Sequence, residues 1–167
     1  MFWTRLASGI VLIVIAVLAL IWGRAPLALL LWGISMAAFR ELTKALKCAS
    51  DEKKPNGLEV FGLAGVTAYY AVMYFSGSDT LLLMCIVGTL LAELFVYVFA
   101  FPRFHADQAV AAVFSFLYAP VLLSFVYQTR MYTQGIYTVW MILISSWGCD
   151  TCAYVVGKLI GRKKIFP

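Results

Sequence analysis

Asp150 stands alone as an acid inside a long apolar stretch, and its neighbours are of types that suit phosphate chemistry. The segment reads Ser146-Trp147-Gly148-Cys149-Asp150-Thr151-Cys152-Ala153-Tyr154-Val155-Val156-Gly157-Lys158-Leu159-Ile160-Gly161, and it runs directly into Arg162-Lys163-Lys164. An acid at membrane depth is costly unless it binds something, so its presence marks a functional site. The basic cluster that follows points to phosphate held with a metal ion. If the segment is helical, Ser146, Asp150, Tyr154 and Lys158 form one polar ridge, because residues four apart align. Beside it, Ser145, Cys149, Ala153, Gly157 and Gly161 form a ridge of small side chains that would let another helix backbone approach closely. Asp150 lies about 12 Å along the axis from Lys158, at 1.5 Å per residue. That spacing puts it within the reach of a water-soluble substrate. The plainer reading is that Asp150 accepts a hydrogen bond from a neighbouring helix.

Such a ridge needs a membrane bundle to hold it, and the composition supplies one. The chain has 167 residues, 63% of them hydrophobic and 13% charged, with a mean hydropathy of +0.92. A soluble domain carries about 25% charged residues, so this is an integral membrane protein. The expected fold is all-α, a polytopic bundle forming a single membrane domain over residues 1–167, with about six spans. The spans are predicted at Thr4–Trp22, Pro26–Phe39, Leu58–Phe75, Thr80–Ala100, Ala109–Tyr127 and Ile136–Gly157. The second is short, and its helix is expected to run past Arg40 along the interface with Glu41, Lys44 and Lys47. Pro26 suits a helix start, where its missing N–H costs nothing. The breaks fall at Gly23-Arg24, Asp51 to Asn56, Ser76 to Asp79, Pro102 to Asp107 and Thr129 to Gly135.

Charge sets the orientation. With the N-terminus inside, all 13 Lys and Arg residues except Arg24 and Arg130 fall on the cytoplasmic side. The expected topology is therefore N-in and C-in, with the active side cytoplasmic and a bacterial-type inner membrane as the setting. Trp22, Tyr69, Tyr70, Tyr74, Tyr127, Tyr132 and Tyr137 cluster near the outer span ends, as an aromatic belt would. The net charge of +5 reads as this topology signal, and no nucleic-acid partner is expected. Cys149-x-x-Cys152 is not read as zinc or redox chemistry, because the only histidine, His105, is far away and the motif lies mid-span. Gly157 to Lys164 fails as a P-loop in both spacing and context. Glu93 is a second intramembrane acid. It is open to sharing a metal or proton with Asp150, to pairing with Arg103, or to bonding a neighbouring helix. Glu41 reads as an interfacial charge.

These residues carry a family resemblance. Asp150, Ala153, Tyr154, Gly157 and Gly161 match the Asp-x-x-Ala-Tyr-x-x-Gly-x-x-x-Gly segment of the CDP-diacylglycerol synthases, or phosphatidate cytidylyltransferases. Thr4-Arg5-x-x-Ser8-Gly9 resembles that family's first span, and Phe39-Arg40-Glu41-Leu42 the end of its second. The resemblance implies transfer of CMP from CTP to phosphatidate, giving CDP-diacylglycerol and pyrophosphate in phospholipid biosynthesis. It implies Mg²⁺ as cofactor, Asp150 as a catalytic, metal-facing carboxylate and Tyr154 as its brace. Arg162, Lys163 and Lys164 become phosphate contacts, and Gly157 and Gly161 close-packing positions beside the site. The family's later segments, a Ser-Pro-Lys-Lys-type stretch and an Asp-rich cluster, do not occur in these residues. The expectation is therefore an N-terminal membrane half of a longer enzyme, inactive alone because one Asp cannot hold a binuclear metal site.

Two readings of other classes compete. A small transporter or channel subunit would use Asp150 and Glu93 as an ion path, although no internal repeat supports it. A non-catalytic scaffold would assemble, as a homodimer for example, through the small ridge. A different CTP-using or isoprenoid-using membrane kinase or transferase is separated from the leading reading only by the Asp-x-x-Ala-Tyr segment.

Overall fold

Helices account for nearly every residue because the bilayer leaves a spanning backbone no other way to satisfy its own N–H and C=O groups. A computed structural model describes residues 2–48 and 56–159, with side chains from Val11 onward. Thr4, Arg5, Ser8 and Gly9 therefore lie outside the described side chains. Lys53, Lys54, Gly161, Arg162, Lys163 and Lys164 lie outside the described residues. The elements are α1 (Phe2–Trp22), α2 (Arg24–Ala45), α3 (Gly57–Phe75), α4 (Asp79–Phe99), α5 (Ala106–Phe116), a π-helical turn (Leu117–Val121), α6 (Leu122–Met131) and α7 (Gly135–Leu159). No strand occurs among the described residues. The fold is an all-α helical bundle. Five helical stretches are long and apolar enough to cross a membrane: α2, α3, α4, the continuous run Ala106–Met131, and α7. Val11–Trp22 of α1 is a further, shorter apolar helix. The protein is multi-pass.

The helix ends explain where the spans stop. Asn56 opens α3 with a reciprocal cap: its Oδ1 accepts from the Glu59 N–H at 2.9 Å, and Glu59 Oε2 accepts from the Asn56 N–H at 3.0 Å. α2 runs on past Arg40 to Ala45, so its interfacial continuation is the same helix. It ends in a Schellman motif, in which the Cys48 N–H reaches Thr43 O at 2.9 Å and the Lys47 N–H reaches Lys44 O at 3.0 Å. This motif places Lys47 at φ 56°, a left-handed conformation that favours glycine. Lys47→Gly is accordingly expected to raise stability by about 1 kcal/mol, seen as a higher melting midpoint in detergent. An unchanged or lower midpoint would show that the Lys47 side chain contributes more than its backbone costs. Gly77, at φ 61°, ends α3 in the same conformation without a side chain to strain.

The described residues fall into two compact units that divide between Gln128 and Thr129. In the first, α3 packs against α2, α4 and α5. Its buried side chains include Leu27, Leu31 and Phe39 of α2, Leu58, Val66 and Tyr69 of α3, Leu82 of α4, and Ala112 and Phe116 of α5. Lipid tails remove the usual hydrophobic drive between helices, so close backbone approach and interhelical hydrogen bonds hold such a bundle. Both are present. A Cβ on Gly62 would overlap the Phe39 ring, and one on Gly65 would overlap the Thr89 side chain. Ser35 and Tyr70 share a hydrogen bond of 2.8 Å, and Tyr69 and Ser124 one of 3.1 Å. The Tyr70 hydroxyl also lies 3.3 Å from the carbonyl oxygen of Pro120. Pro120 has no N–H to give its helix, which explains the π-helical turn that surrounds it. Interhelical bonds of this kind contribute about 0.6 kcal/mol each on average. The aromatic-belt reading needs revision here. Tyr69, Tyr70 and Tyr127 are buried in the first unit, whereas Trp22, Tyr74, Tyr132 and Tyr137 are exposed. The opposite face of α4 exposes Leu83, Met84, Val87, Leu91 and Phe95, as a lipid-facing helix does.

Candidate functional site

The second unit carries the sequence-predicted site. α7 begins at Gly135, where a Cβ would overlap the backbone carbonyls of Thr129 and Arg130, so only glycine fits the turn. From there the helix is continuous to Leu159. Ser146, Asp150, Tyr154 and Lys158 therefore share one ridge, and Ser145, Cys149, Ala153 and Gly157 the next, as their spacing predicts. Asp150 and Tyr154 are exposed, and among the described residues of their own unit none hydrogen-bonds or ion-pairs with either carboxylate or phenol. A Cβ on Gly157 would meet nothing within 4 Å. The polar ridge is thus an exposed carboxylate, a phenol one turn on and an amino group one turn further. Such a row can bind a cation at one end and a phosphate at the other. It does not by itself enclose either. Among the described residues no group of three His, Cys, Asp or Glu side chains is placed to hold a metal ion.

Unit 1 contains the other acids. Glu41 is exposed and lies 3.7 Å from Lys44, an interfacial pair of little energetic weight. Glu93 is fully buried, with no hydrogen-bond or ion-pair partner among the described residues, and Arg103 instead lies over the Phe104 ring, 6.0 Å from its centroid. Sequence reasoning missed Glu59, which is buried and accepts a hydrogen bond from Thr43 Oγ1 at 3.3 Å. The Asn56-x-x-Glu59 capping pattern was the signal available for it. It also missed Cys48, which ties the end of α2 to the start of α5. The Cys48 thiol donates to Gln108 O at 3.3 Å, while its carbonyl accepts from Asn56 Nδ2 at 2.6 Å and Gln108 Nε2 at 3.4 Å. Burial first, and then the nearby acids Glu59 and Glu93, push the Cys48 thiol up to about 11.

The Cys48 shift has a sign. A thiol whose proton is held more tightly in the folded state contributes stability that is intact below its ordinary value of 9.0 and is lost as pH rises towards about 11. In detergent at mildly alkaline pH, a maleimide reagent should leave buried Cys48 untouched until the protein is unfolded. Labelling of Cys48 in the folded protein would show that the α2–α5 junction opens freely.

With this geometry in hand, the sequence profile of the cytidylyltransferase family, to which the CDP-diacylglycerol synthases belong, matches residues 3–167. The chain belongs to the cytidylyltransferase family. No curated protein and no solved structure matches it. Membership makes nucleotidyl transfer from CTP to a lipid acceptor the chemistry against which the membrane helices and the α7 ridge are to be understood.

Proposed function

We propose that the chain belongs to a phosphatidate cytidylyltransferase, which converts CTP and phosphatidate into CDP-diacylglycerol and pyrophosphate. One observation carries the reading. In a member of the cytidylyltransferase family, a continuous apolar helix presents Asp150, Tyr154 and Lys158 on a single ridge. In the reaction, a phosphate oxygen of the lipid forms a bond to the α-phosphorus of CTP as the bond to the β-phosphate bridge breaks. Both reactants are anionic, so the site must offset charge before it can align them. Lys158 and the sequence-adjacent Arg162, Lys163 and Lys164 would take the phosphates, and Tyr154 would hold the Asp150 carboxylate in place. Gly157 and Gly161 would admit a neighbouring backbone.

Mg²⁺ is the cofactor this reading implies. Asp150 fits it in the mode Mg²⁺ commonly uses, one carboxylate with substrate phosphates and water completing the shell. When bound, the ion would neutralise charge on the triphosphate. A second metal would need carboxylates besides Asp150, the one acid that α7 offers. The topology that suits the reading is N-in and C-in in a bacterial-type inner membrane, with Asp150 towards the cytoplasm.

The reading is tested by acceptor choice. Membranes carrying the enzyme from the whole reading frame, given CTP, should convert phosphatidate into a CDP-lipid and leave diacylglycerol and polyprenyl phosphates unchanged. Preferred conversion of a polyprenyl acceptor would keep the family chemistry and overturn the assigned substrate.

A further inference from the structure

A groove on unit 1 has no part in the proposed reaction. It runs between α2 and α3 and encloses about 340 Å³. Ala25, Ala28 and Ala71 line it, and their small side chains leave the space that larger residues would fill. Trp32, Tyr74 and Phe75 supply aromatic walls. At the deep end, Trp32 Nε1 donates to Thr67 Oγ1 at 3.4 Å and bridges the two helices. The other end lies where α2 begins and α3 ends. From Thr67 to Phe75 is about 12 Å at 1.5 Å per residue. The hydrocarbon of one leaflet is about 15 Å deep, half the thickness of the core. The groove therefore lies at acyl-chain depth in one leaflet, with its open end at headgroup level.

A cation stands at that open end. Arg24 is exposed and directly precedes Ala25 of the lining. It emerges from a turn in which Gly23 and Arg24 have φ angles of 62° and 38°. Arg24 and Tyr74 of the groove wall both lie within electrostatic reach of the Tyr127 hydroxyl, which brings cation and groove together. No carboxylate pairs with the guanidinium, because among the described residues the one ion pair is Lys44 with Glu41. Asp79, an acid at this end of unit 1, belongs to the first turn of α4 and not to the lining.

We propose that this groove binds one anionic phospholipid, with an acyl chain against the alanines and the phosphate on Arg24. The match holds at both levels. The apolar strip has the length of part of an acyl chain, and a guanidinium, whose fork takes two phosphate oxygens at once, stands where the headgroup begins. A lipid held there fills a gap that the packing of α2 on α3 leaves open, and so stabilises unit 1. The site uses neither Asp150 nor CTP and stands independently of the proposed reaction.

The test is native mass spectrometry of the delipidated chain in detergent, alongside thermal melts. The probes are phosphatidylglycerol and phosphatidylcholine with identical acyl chains. One phosphatidylglycerol should be retained on the order of tenfold more tightly than phosphatidylcholine, the effect of one charge-assisted contact. It should also raise the melting midpoint by about 3 °C relative to phosphatidylcholine. Arg24→Gln should remove the preference. If that variant does not fold, Arg24→Gly, which suits the left-handed backbone, takes its place with the same expected loss. Arg103→Gln removes a cation beyond the other end of α4 and should keep the preference. Ala71→Trp fills the groove from an exposed position and should release the bound phosphatidylglycerol without lowering the lipid-free midpoint. Equal retention of the two lipids, or an unchanged preference in the Arg24 variant, would overturn the proposal. Chain dimers forming in place of the lipid complex would give the groove to a second copy and overturn it as well.

Discussion

Asp150→Asn lowers CMP transfer in the complete enzyme by about 10²–10³-fold, and leaves the melting midpoint of the protein where it was. The two halves of this expectation rest on different observations. The loss follows from the proposed role: Asn keeps the shape of the side chain and removes the charge that would face a metal-bound triphosphate. That charge matters most where phosphate oxygens gather, and about 3–4 kcal/mol of transition-state stabilisation corresponds to the rate loss. The unchanged midpoint follows from the structure, since Asp150 is exposed and no described residue of its own unit bonds to it. The measurement is turnover at saturating CTP and phosphatidate alongside a thermal melt. Full turnover by the Asn variant would remove Asp150 from the mechanism. A lowered midpoint with lost turnover would return it to the plainer role of a helix-packing acceptor.

Gly62→Ala carries a large expected cost in stability, about 2–3 kcal/mol, or a fall of about 4–12 °C in melting midpoint. The added methyl would overlap the fully buried Phe39 ring and crowd Glu93 Oε1 at 3.0 Å. Phe39 has nowhere to go, because it sits in the core between α2 and α3. Gly88→Ala is the matched comparison. It lies on α4 in the same unit, a Cβ there meets nothing within 4 Å, and alanine is the better helix former by about 1 kcal/mol. The pair should therefore move in opposite directions. Equal, small shifts in both would mean that α2 and α3 do not meet at Gly62 as described.

The helices were legible in the sequence because a bilayer demands long apolar runs, and turn residues separate them cleanly. What the pattern could not show was how helices end when charge and helix do not stop together. The run of α2 past Arg40 to Ala45 was readable from the sequence, but not its closure with Lys47 in a conformation that sequence rules reserve for glycine. Pro120 signals a local break within the fifth apolar run, and the helix absorbs it as a π-helical turn and goes on to Met131. Tyr69 and Tyr70 look like belt residues by position, but their hydroxyls find Ser124, Ser35 and Pro120 inside the bundle.

The α7 ridge was equally legible, since a period of four residues needs only a continuous helix to become a face. The partners of an acid are another matter. Whether Glu93 meets Arg103, a neighbouring helix or nothing depends on packing between segments distant in sequence, and a linear pattern holds no trace of it. Glu59 shows the same limit from the other side. Its capping role is local and readable, while its hydrogen bond to Thr43 arises only when α2 and α3 meet.

The most direct test of the account follows the phosphorus atoms of CTP. Membranes bearing the complete enzyme are supplied with phosphatidate and with CTP labelled at either the α- or the γ-phosphate, and the extracted lipid is counted. Cytidylyl transfer predicts label in the lipid from the α-position only, with the γ-label released as pyrophosphate and the Asp150→Asn variant near background. Label entering the lipid from the γ-position would make the enzyme a CTP-dependent lipid kinase and contradict the proposed reaction.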